Sequence, residues 1–500
     1  MCFSNPDSAF NRVLLIQPPF SRWPGEAKVV QPPLGLAYIA AVLEKDGYTV
    51  KIIDAPLEGY EEEIKFSDGR HRYGLSYEEI LKRVKEFRPD IIGISCSFST
   101  LFYTVCELSR EIKKFDKSIK ICVGGAHPTS VPEEVFEREE IDFVIIGEGE
   151  ARFSQLLAAL SAGESLSAID GLGYRQGNKV LINPPVNYIR DLDEIPFPAR
   201  HLLDMEKYLR INKPHGVSTK GDRATTIITS RGCPANCIFC SIHGIWGRKF
   251  RVRSPENVIK EIELLKTQYG IDEILFEDDN LTFDNKRAEK IFDLMIDKGF
   301  NLHWKTPNGV ALWRLTETLI AKMRKSGCYH LAFAIESGND HVLHGIIKKP
   351  LNLKKVKTLI DAAKRCGIIA EGFFVLGFPG ETFEQMKETF KYALHLGLDK
   401  ANFMIATPYP GTRLYEVCVK DGYLADGFDY KDLITRRASI KTPDFTPAQV
   451  ERFVSRLILS FQAHRIIKNP FGAFRILTTR FMSDPITMFK WLLERVTEAC

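Results

Sequence analysis

The chain has 500 residues, of which 44% are hydrophobic and 26% are charged, and its formal net charge is +4. This length predicts two to four domains, and the composition is that of an ordinary globular protein. The small net charge argues against a nucleic-acid-binding protein, and no apolar run reaches the roughly 18 residues that a transmembrane helix needs.

Up to residue 165, short apolar strands alternate with amphipathic helices. Strand patterns occur at 12–17, 49–54, 90–95, 119–123 and 143–146, and helix patterns at 33–46, 77–87 and 104–115. Buried strands of this length separated by helices predict a doubly wound parallel sheet. In such α/β folds, ligands bind beyond the carboxyl ends of the strands.

Small residues and glycines follow these strands. The segments are Pro18–Pro19, Ser95–Phe98, Gly124–Pro128 and Gly147–Glu150. Glycine lets the backbone approach a bulky ligand, and hydroxyl groups can bond to the edge of that ligand. The residues alone therefore predict a nucleotide or cofactor site. No G-x-G-x-x-G pattern follows the first strand, which argues against a nicotinamide cofactor.

A hairpin and a proline-rich linker are predicted at 166–221. Residues 171–180 have the pattern of a β-hairpin with its turn at Gly177 and Asn178. Residues 191–198 are rich in proline and carry no strand or helix pattern. This segment is therefore expected to connect two larger domains.

The most specific motif comes next. Cys233, Cys237 and Cys240 lie on one predicted loop with C-x3-C-x2-C spacing, directly after a strand pattern at 225–229. Three thiolates can hold three irons of a four-iron cluster and leave the fourth iron open, whereas electron-transfer clusters normally use four cysteines. From these residues alone, a zinc ion held by the three cysteines and His243 is the alternative.

The remaining cysteines do not suggest disulfides. The chain has 11 cysteines in all, an odd number, and it starts without the pattern of a secretory signal. Six of them lie in apolar or amphipathic segments and are predicted to be inert core residues: Cys96, Cys106, Cys122, Cys328, Cys366 and Cys418. We expect a cytoplasmic protein in a reducing compartment.

From residue 222 to 420, six strand patterns alternate with helices. The strands are predicted at 225–229, 273–276, 302–305, 330–335, 372–376 and 401–405. Six strands are fewer than the eight of a closed TIM barrel, so the pattern predicts a partial (βα)6 barrel. Polar residues after these strands are expected to form the active site.

The cysteine spacing, Phe239 before the third cysteine and the preceding strand resemble the radical S-adenosylmethionine (SAM) superfamily. This resemblance implies a 4Fe-4S cluster on the three cysteines and a bound SAM that is cleaved to a 5'-deoxyadenosyl radical. It also implies SAM contacts for six residues: Phe239, Asp279, Glu336, Ser337, Gly377 and Glu381. The segment Glu277-Asp-Asp-Asn280 departs from the Gly-Gly-Glu that is common in the superfamily, so the acid that binds the SAM amino group stays open, with Asp279 preferred.

Residues 10–160 resemble the cobalamin-binding domain of one large radical SAM class. The resemblance implies cobalamin contacts for seven residues: Ser97, Phe98, Gly124, Gly125, His127, Gly147 and Glu148. No Asp-x-His-x-x-Gly signature occurs, so no histidine of that motif is expected to bind cobalt; for His127, a place near the corrin and a loop position bonded to backbone stay open. The implied domains are a cobalamin-binding domain at 10–165 and a radical SAM core at 222–420.

A helical C-terminal extension is predicted at 421–500, with one amphipathic helix at 446–467. Residues 451–500 hold eight Lys and Arg against four Asp and Glu, interleaved with aromatic and leucine residues. Two interpretations stay open for this segment. It packs on the barrel as a cap, or it contacts the inner face of a membrane as a peripheral segment.

Together the resemblances predict a cobalamin-dependent radical SAM enzyme that methylates an unactivated carbon of a small-molecule or lipid substrate. An enzyme with the same cofactors that cyclises, contracts a ring or oxidises without methylating is the first alternative. A non-catalytic cobalamin sensor is the second. The expected partners are the substrate and an electron donor such as flavodoxin or ferredoxin, with no nucleic acid.

Overall fold

The computed structural model of the protein describes residues 10–216 and 218–468. The strands in this part of the chain are β1 (Arg12–Gln17), β2 (Phe20–Arg22), β3 (Thr49–Asp54), β4 (Glu63–Lys65), β5 (His71–Tyr73), β6 (Ile91–Ser95), β7 (Lys120–Gly124), β8 (Phe143–Ile145), β9 (Leu172–Gln176), β10 (Lys179–Ile182), β11 (Ala224–Ile227), β12 (Ser230–Arg231), β13 (Arg251–Val252), β14 (Glu273–Phe276), β15 (His303–Thr306), β16 (Cys328–Glu336), β17 (Ile369–Leu376) and β18 (Lys400–Ile405).

The α-helices are α1 (Leu34–Lys45), α2 (Ala55–Glu58), α3 (Tyr77–Phe87), α4 (Phe102–Phe115), α5 (Ala126–Ser130), α6 (Pro132–Val135), α7 (Glu150–Ala162), α8 (Met205–Ile211), α9 (Ile242–Trp246), α10 (Pro255–Tyr269), α11 (Asn285–Asp297), α12 (Glu317–Lys325), α13 (Leu353–Arg365), α14 (Phe383–His395), α15 (Arg413–Lys420) and α16 (Pro447–Lys468).

The N-terminal sheet has seven strands in the order β10-β9-β8-β7-β6-β1-β3. The five strands from β3 to β8 in this order pair in parallel, which confirms the predicted doubly wound architecture. The predicted hairpin is also present, but β9 pairs antiparallel with β8 and so extends this sheet. The two-residue turn at Gly177 and Asn178 makes β10 antiparallel to β9, and both strands make the sheet mixed at that edge.

Helices cover both faces of this sheet. Buried residues of α1 and α7 pack against one face, and buried residues of α3 and α4 pack against the other. A small antiparallel sheet, β2-β5-β4, was not predicted. Its strands have three residues each, which is too short for a periodic pattern to show.

The second sheet is the predicted partial barrel. Its six strands follow in the order β11-β14-β15-β16-β17-β18, and every neighbouring pair is parallel. The strand order equals the chain order, so each connection crosses over through the outer helices. The carboxyl ends of all six strands therefore lie at one mouth of the barrel.

The beginning of the C-terminal extension packs on the barrel. Helix α16 buries Val450, Val454, Leu457 and Phe461, and the Phe461 ring lies 6.0 Å from the ring of Phe403 in β18. This packing favours the cap interpretation for residues 447–468. The remainder of the segment for which we predicted membrane contact, 469–500, lies outside the described residues. Within the described part of the chain, no helix is long and apolar enough to cross a bilayer.

Candidate functional site

The cysteine loop runs from β12 to α9 and is held by two elements of the barrel. The backbone N–H of Ile238 donates to the carbonyl of Ile347, and the N–H of Leu414 donates to the carbonyl of Ile238. Ile347 ends a π-helical segment, His341–Ile347, and Leu414 lies in the first turn of α15. These bonds fix the loop between its second and third cysteines.

The three loop cysteines supply a donor set that suits iron. All three are free thiols with partly exposed side chains, and the Asn280 amide donates to Cys233 Sγ at 2.6 Å. Burial raises the pKa of Cys237 to about 11 and that of Cys240 to about 12. The thiolates that bind iron must therefore form as the metal binds, with release of protons. Sequence reasoning missed Asn280 because an amide after a strand carries no motif.

The zinc alternative finds no support in the geometry. His243 Nε2 lies 3.0 Å from the carbonyl oxygen of Cys233, so the ring contacts loop backbone. Among the described residues, no three His, Cys, Asp or Glu side chains are grouped closely enough to hold one metal ion. A four-iron cluster does not need that grouping, because each of its cysteines binds a different iron.

The two aspartates after β14 have different surroundings. Asp278 is buried and accepts bonds from the N–H and hydroxyl of Thr229 and from the Ser230 hydroxyl, so it braces the start of the cysteine loop. No other described side chain bonds to the Asp279 carboxylate. Burial raises the pKa of both Cys233 and Cys240, and the charge of Asp279 adds to that rise, which places Asp279 beside the loop. Asp279 is the acid that remains available to a ligand.

Glu336 ends β16 in the left-handed region, with φ of 69°. A non-glycine residue in this conformation is uncommon and is often found at functional sites. Its Oε1 accepts from Lys349 Nζ at 2.7 Å, and both side chains are buried. Burial raises the pKa of Cys237 and the charge of Lys349 offsets part of that rise, so this buried ion pair lies beside the cysteine loop.

The other predicted SAM residues build turns. The Ser337 hydroxyl lies 3.0 Å from the Thr389 hydroxyl and both are buried. Glu381 is fully buried, and its Oε2 accepts from the N–H groups of Gly377 and Phe378. Glu381 therefore holds the turn after β17 together. The Phe239 ring lies 5.9 Å from the Phe378 ring, so this turn also packs on the cysteine loop.

Glu277, one of the acids that the sequence left open for the SAM amino group, also lies at the barrel mouth. Glu277 Oε2 accepts from the Asn308 amide at 3.2 Å. Its Oε1 is buried and has no hydrogen-bond partner in the described residues; His215 Nδ1 is 3.4 Å away without suitable alignment. Burial raises the pKa of Glu277 to about 8, so it is mainly protonated at pH 7.

A cavity of about 250 Å³ lies at the carboxyl ends of the N-terminal strands. Its walls are mostly apolar, and it reaches between α1, α7 and the sheet to Leu15 and Phe153. Five of the seven residues predicted for cobalamin line it: Ser97, Gly124, Gly125, Gly147 and Glu148. An apolar slot of this size suits one flat ring system of a larger cofactor.

Two glycines in the cavity wall, Gly35 and Gly124, lie next to empty space that no other part of the protein fills. A Cβ built on Gly124 meets nothing closer than Ile145 Cβ at 3.8 Å, and a Cβ on Gly35 meets no atom within 4 Å. At Gly93, in contrast, it would lie 2.7 Å from Leu15. Side chains at Gly124 and Gly35 would therefore extend into the cavity, and their absence leaves room for a ligand.

Two residues predicted to contact cobalamin lie outside this cavity. The Phe98 side chain is exposed, and Phe98 does not contribute to the cavity wall. His127 is buried with Nδ1 3.1 Å from the Ser99 hydroxyl, and its ring packs between Phe102 and Tyr430. Burial lowers its pKa to about 4, so it is neutral. The structure thus separates His127 from the remaining candidates because α5 turns its ring into the core.

Glu148 lines the cavity, but its carboxylate is already used. Oε1 accepts from Arg231 at 2.8 Å and from Arg251 at 2.8 Å, and Oε2 accepts from the N–H of Ile189. Arg231 also bonds to Glu150 Oε1 at 2.5 Å. This buried network of two arginines and two glutamates joins the N-terminal sheet to the strands that flank the cysteine loop.

The short helix α9 connects the two sites. It begins two residues after Cys240, and its residues Ile245 and Trp246 line the cavity of the N-terminal sheet. Arg231 lies 4.6 Å from the Trp246 ring centre, so the charged network also supports this helix. The cysteine loop and the apolar cavity are therefore neighbouring parts of one site.

Comparisons with known proteins agree with this arrangement. Two family models match the chain, the B12 binding domain over residues 25–157 and the radical SAM superfamily over residues 227–393. The chain is 38% identical over 444 residues to cytidylyl-2-hydroxyethylphosphonate methyltransferase of Streptomyces wedmorensis, with 83% of each chain covered. It is 28% identical to anaerobic magnesium-protoporphyrin IX monomethyl ester cyclase of Rubrivivax gelatinosus, with 88% of this chain and 74% of the relative covered.

The solved structure of the radical SAM methyltransferase TsrM from Kitasatospora setae, with cobalamin and a 4Fe-4S cluster bound, has the same fold. The TM-score is 0.65 at 18% identity, and 84% of this chain and 76% of the other are covered. The chain therefore belongs to the cobalamin-dependent radical SAM enzymes, a family of methyltransferases and cyclases, and its cofactors are a 4Fe-4S cluster, SAM and cobalamin.

Proposed function

We propose that this enzyme transfers a methyl group to an unactivated carbon of a small-molecule substrate. The observation that carries the proposal is α9, which leaves the cysteine loop and forms a wall of the apolar cavity. Two cofactor sites that share a helix can act on one substrate held between them. The 38% identity to a methyltransferase over most of both chains supports methyl transfer as the outcome.

When bound, the cluster and SAM supply a radical that removes hydrogen from carbon, and cobalamin supplies the methyl group. We assign Cys233, Cys237 and Cys240 to the cluster. Asp279 would accept from the SAM amino group, because no other described side chain bonds to its carboxylate. Glu336 would face the ribose hydroxyls while Lys349 holds its Oε1.

For cobalamin we assign the cavity at the end of the N-terminal sheet. Gly124 and Gly35 leave room there for a flat apolar group such as the nucleotide base of the cofactor. Glu148 would not contact the cofactor through its carboxylate. It would instead hold Arg231 and Arg251 and so keep the cavity wall next to the cysteine loop.

A cyclase that uses the same cofactors without methylation is the second candidate, because the chain also matches such an enzyme over most of its length. A cytoplasmic location and a contact of residues 451–500 with a membrane stay predictions. The first compound to test as substrate is cytidylyl-2-hydroxyethylphosphonate, because the relative from Streptomyces wedmorensis is a methyltransferase named for that compound.

The test is anaerobic reconstitution with iron, sulfide and hydroxocobalamin, followed by reduction with SAM present and mass spectrometry. We expect 5'-deoxyadenosine together with S-adenosylhomocysteine, because remethylation of cobalt consumes a second SAM. Deoxyadenosine without S-adenosylhomocysteine, from protein that retains cobalamin, would favour the cyclase candidate. The Cys237→Ala variant should lose deoxyadenosine formation and still bind cobalamin. If it keeps that activity, the cluster assignment is wrong.

A further inference from the structure

Four polar side chains meet at the barrel mouth, next to the segment that links the two domains. We name them the junction group and define it by Gln31, His215, Glu277 and Asn308. Gln31 lies between β2 and α1, His215 follows α8, Glu277 follows β14 and Asn308 follows β15. The fold thus brings together residues from the N-terminal domain, the linker and the barrel.

The junction group lies between the places assigned to the two cofactors. On one side, Gln31 comes four residues before Gly35, which lines the apolar cavity. On the other side, Glu277 comes two residues before Asp279, the residue assigned to the SAM amino group. Burial raises the pKa of Glu277 and the charge of Asp279 adds to that rise, so the two carboxyl groups are close in space. A substrate that both cofactors reach therefore lies beside the junction group.

Glu277 is on the inner face of the barrel wall. Ile274 and Phe276 of β14 belong to the core that packs against the outer helices. Glu273 of the same strand lies on the opposite face, where its Oε1 is 3.5 Å from Lys305 Nζ of β15. Because side chains alternate between the two faces of a strand, Glu277 continues the row that begins with Glu273. Its carboxyl group is therefore on the inside of the barrel, at the end where active sites of such folds form.

The polar atoms of the junction group do not satisfy one another. Gln31 Oε1 accepts from the backbone N–H of His215 at 3.2 Å and also lies 3.0 Å from Nδ1 of that ring. Asn308 donates its amide to Glu277, so its oxygen is the atom that lies 3.3 Å from His215 Nε2. Burial lowers the pKa of His215, and a neutral imidazole has one N–H for the oxygens that face its two nitrogens. In the described part of the chain, Glu277 Oε1 is left without a hydrogen-bond partner.

A hydroxyl group is the partner that suits these atoms. Burial raises the pKa of Glu277 to about 8, so its carboxyl group is mainly protonated and neutral at pH 7. A neutral carboxyl group attracts an ammonium group only weakly, and the oxygens around the imidazole would repel a phosphate or a carboxylate. A hydroxyl group can accept from the protonated carboxyl and donate to the imidazole or to an amide oxygen at the same time. A carbonyl group could only accept.

The junction group is open to a ligand on one side. The side chain of His215 is 34% exposed and Asn308 is exposed, whereas the side chain of Glu277 is only 10% exposed. A ligand that comes from the barrel mouth therefore meets the imidazole first. His215 belongs to no helix or strand, so its ring can turn aside and give access to Glu277 Oε1 without a change in regular structure.

We propose that a hydroxyl group of the substrate binds between Glu277 and His215, so that the enzyme selects an alcohol whose hydroxyl lies near the carbon that is methylated. The contact consists of hydrogen bonds alone, and no covalent bond forms or breaks at the junction group. This inference rests on the proposed function, since it needs a substrate held between the two cofactors. A site that hydrogen-bonds a hydroxyl group rejects the analogue that lacks it, so these two residues would determine specificity.

The experiment measures the binding of two compounds to the reconstituted enzyme by isothermal titration calorimetry, with SAM present and without reductant, so that no turnover occurs. One compound is cytidylyl-2-hydroxyethylphosphonate. The other is cytidylyl-ethylphosphonate, which lacks the hydroxyl on the ethyl group and keeps every other hydroxyl. The test variant is Glu277→Leu, which removes the carboxyl group and keeps a side chain of similar size. The control is Glu256→Leu, the same change in the exposed first turn of α10.

We expect the unmodified enzyme and the control to bind the hydroxyethyl compound at least tenfold more tightly than the ethyl compound, and Glu277→Leu to bind the two equally. In urea unfolding at pH 7, Glu277→Leu should be at least as stable as the unmodified protein, because a buried oxygen without a partner is removed. Equal affinity of the unmodified enzyme for the two compounds would overturn the proposal, and so would a Glu277→Leu variant that keeps the preference. Weaker binding of SAM by this variant would overturn it as well, because Glu277 would then serve the SAM amino group.

Failure of the unmodified enzyme to bind either compound would instead refute the choice of substrate in the proposed function. The urea measurement then decides the inference by itself. A Glu277→Leu variant that is less stable than the unmodified protein would show that the carboxyl group is structural, whereas a variant of equal or higher stability would support a group kept for a ligand.

Discussion

At the scale of single residues, the Asn280 amide is the clearest link between a side chain and a property of the cluster. It donates to Cys233 Sγ, and such bonds stabilise the more negative, reduced state of a cluster. Asn280→Leu is expected to lower the reduction potential by roughly 20–60 mV, which corresponds to one hydrogen bond of about 0.5–1.5 kcal/mol. Anaerobic redox titration followed by electron paramagnetic resonance measures this shift.

The matched control for this change is Asn308→Leu. Asn308 also donates through its amide, but to Glu277 rather than to a cysteine. The reduction potential of the cluster in the Asn308→Leu variant should equal that in the unmodified enzyme. The same potential in all three proteins would show that the Asn280 bond does not act on the cluster.

Glu381 predicts a dependence of stability on pH. Burial raises its pKa from 4.5 to about 8, so the folded state keeps a proton that the unfolded state loses above pH 4.5. The stabilisation from this group is complete below pH 4.5 and is lost as the pH rises through 8, at up to about 1.4 kcal/mol per pH unit. In the Glu381→Gln variant, this contribution to the change of the unfolding free energy with pH should disappear.

Urea unfolding at pH 6, 7, 8 and 9 tests this expectation. Asp279 and Glu277 have raised pKa values as well and contribute slopes of the same sign. They are present in both proteins, so the difference between the two curves isolates Glu381. Parallel curves for the variant and the unmodified protein would contradict the assignment.

The residues show how far the sequence could predict the site. Cysteine spacing and the order of motifs after the strands indicated which loops meet at the barrel mouth. They could not indicate hydrogen-bond partners, because these partners are residues that lie far apart in the chain and meet only in the folded protein. Glu148 is an example, since its partner Arg231 is 83 residues away. His127 is another, because the rotation of α5 decides whether its ring faces ligand or core.

At the scale of the elements, the end of β7 is where a small change should affect one cofactor alone. Gly124→Leu is expected to weaken hydroxocobalamin binding more than tenfold, because the new side chain fills the cavity. The unfolding temperature should change little, since a Cβ there meets only Ile145 at ordinary contact distance. Absorbance titration and a thermal melt measure the two effects.

A graded series strengthens this test. Gly124→Ala adds one methyl group and should weaken binding less than leucine does. If both variants bind hydroxocobalamin as the unmodified protein does, the cavity is not the cobalamin site.

The elements themselves were largely predictable where a periodic pattern was long enough. Six parallel barrel strands and five parallel strands of the N-terminal sheet agree with the patterns. The pairing of the hairpin with β8 was not predictable, because strand partners are chosen by tertiary packing. The π-helical segment after β16 was also missed, since its side-chain pattern resembles that of any short helix.

At the scale of the whole molecule, the buried network around Glu148 joins the two sheets. Glu148→Ala would leave Arg231 and Arg251 buried without their shared carboxylate. Removal of one partner from a buried ion pair costs about 3–5 kcal/mol, so we expect a loss of that size in urea unfolding. The variant should also retain less cobalamin, because Arg231 supports Trp246 in the cavity wall.

The control for this variant is Glu206→Ala. Glu206 pairs with Arg223 at the surface, where ion pairs contribute little to stability. Its unfolding curve and cobalamin content should match those of the unmodified protein. Equal losses in the two variants would show that the Glu148 network has no special role between the sheets.

The short helix α9 also has a consequence for how the enzyme is made in the cell. Because α9 begins two residues after Cys240, iron binding would immobilise one end of the helix whose other end carries Ile245 and Trp246. Chains that have not received iron would keep a looser wall around the apolar cavity and would hold cobalamin less tightly. Cells starved of iron would therefore contain enzyme that loses the vitamin more readily than enzyme with a complete cluster.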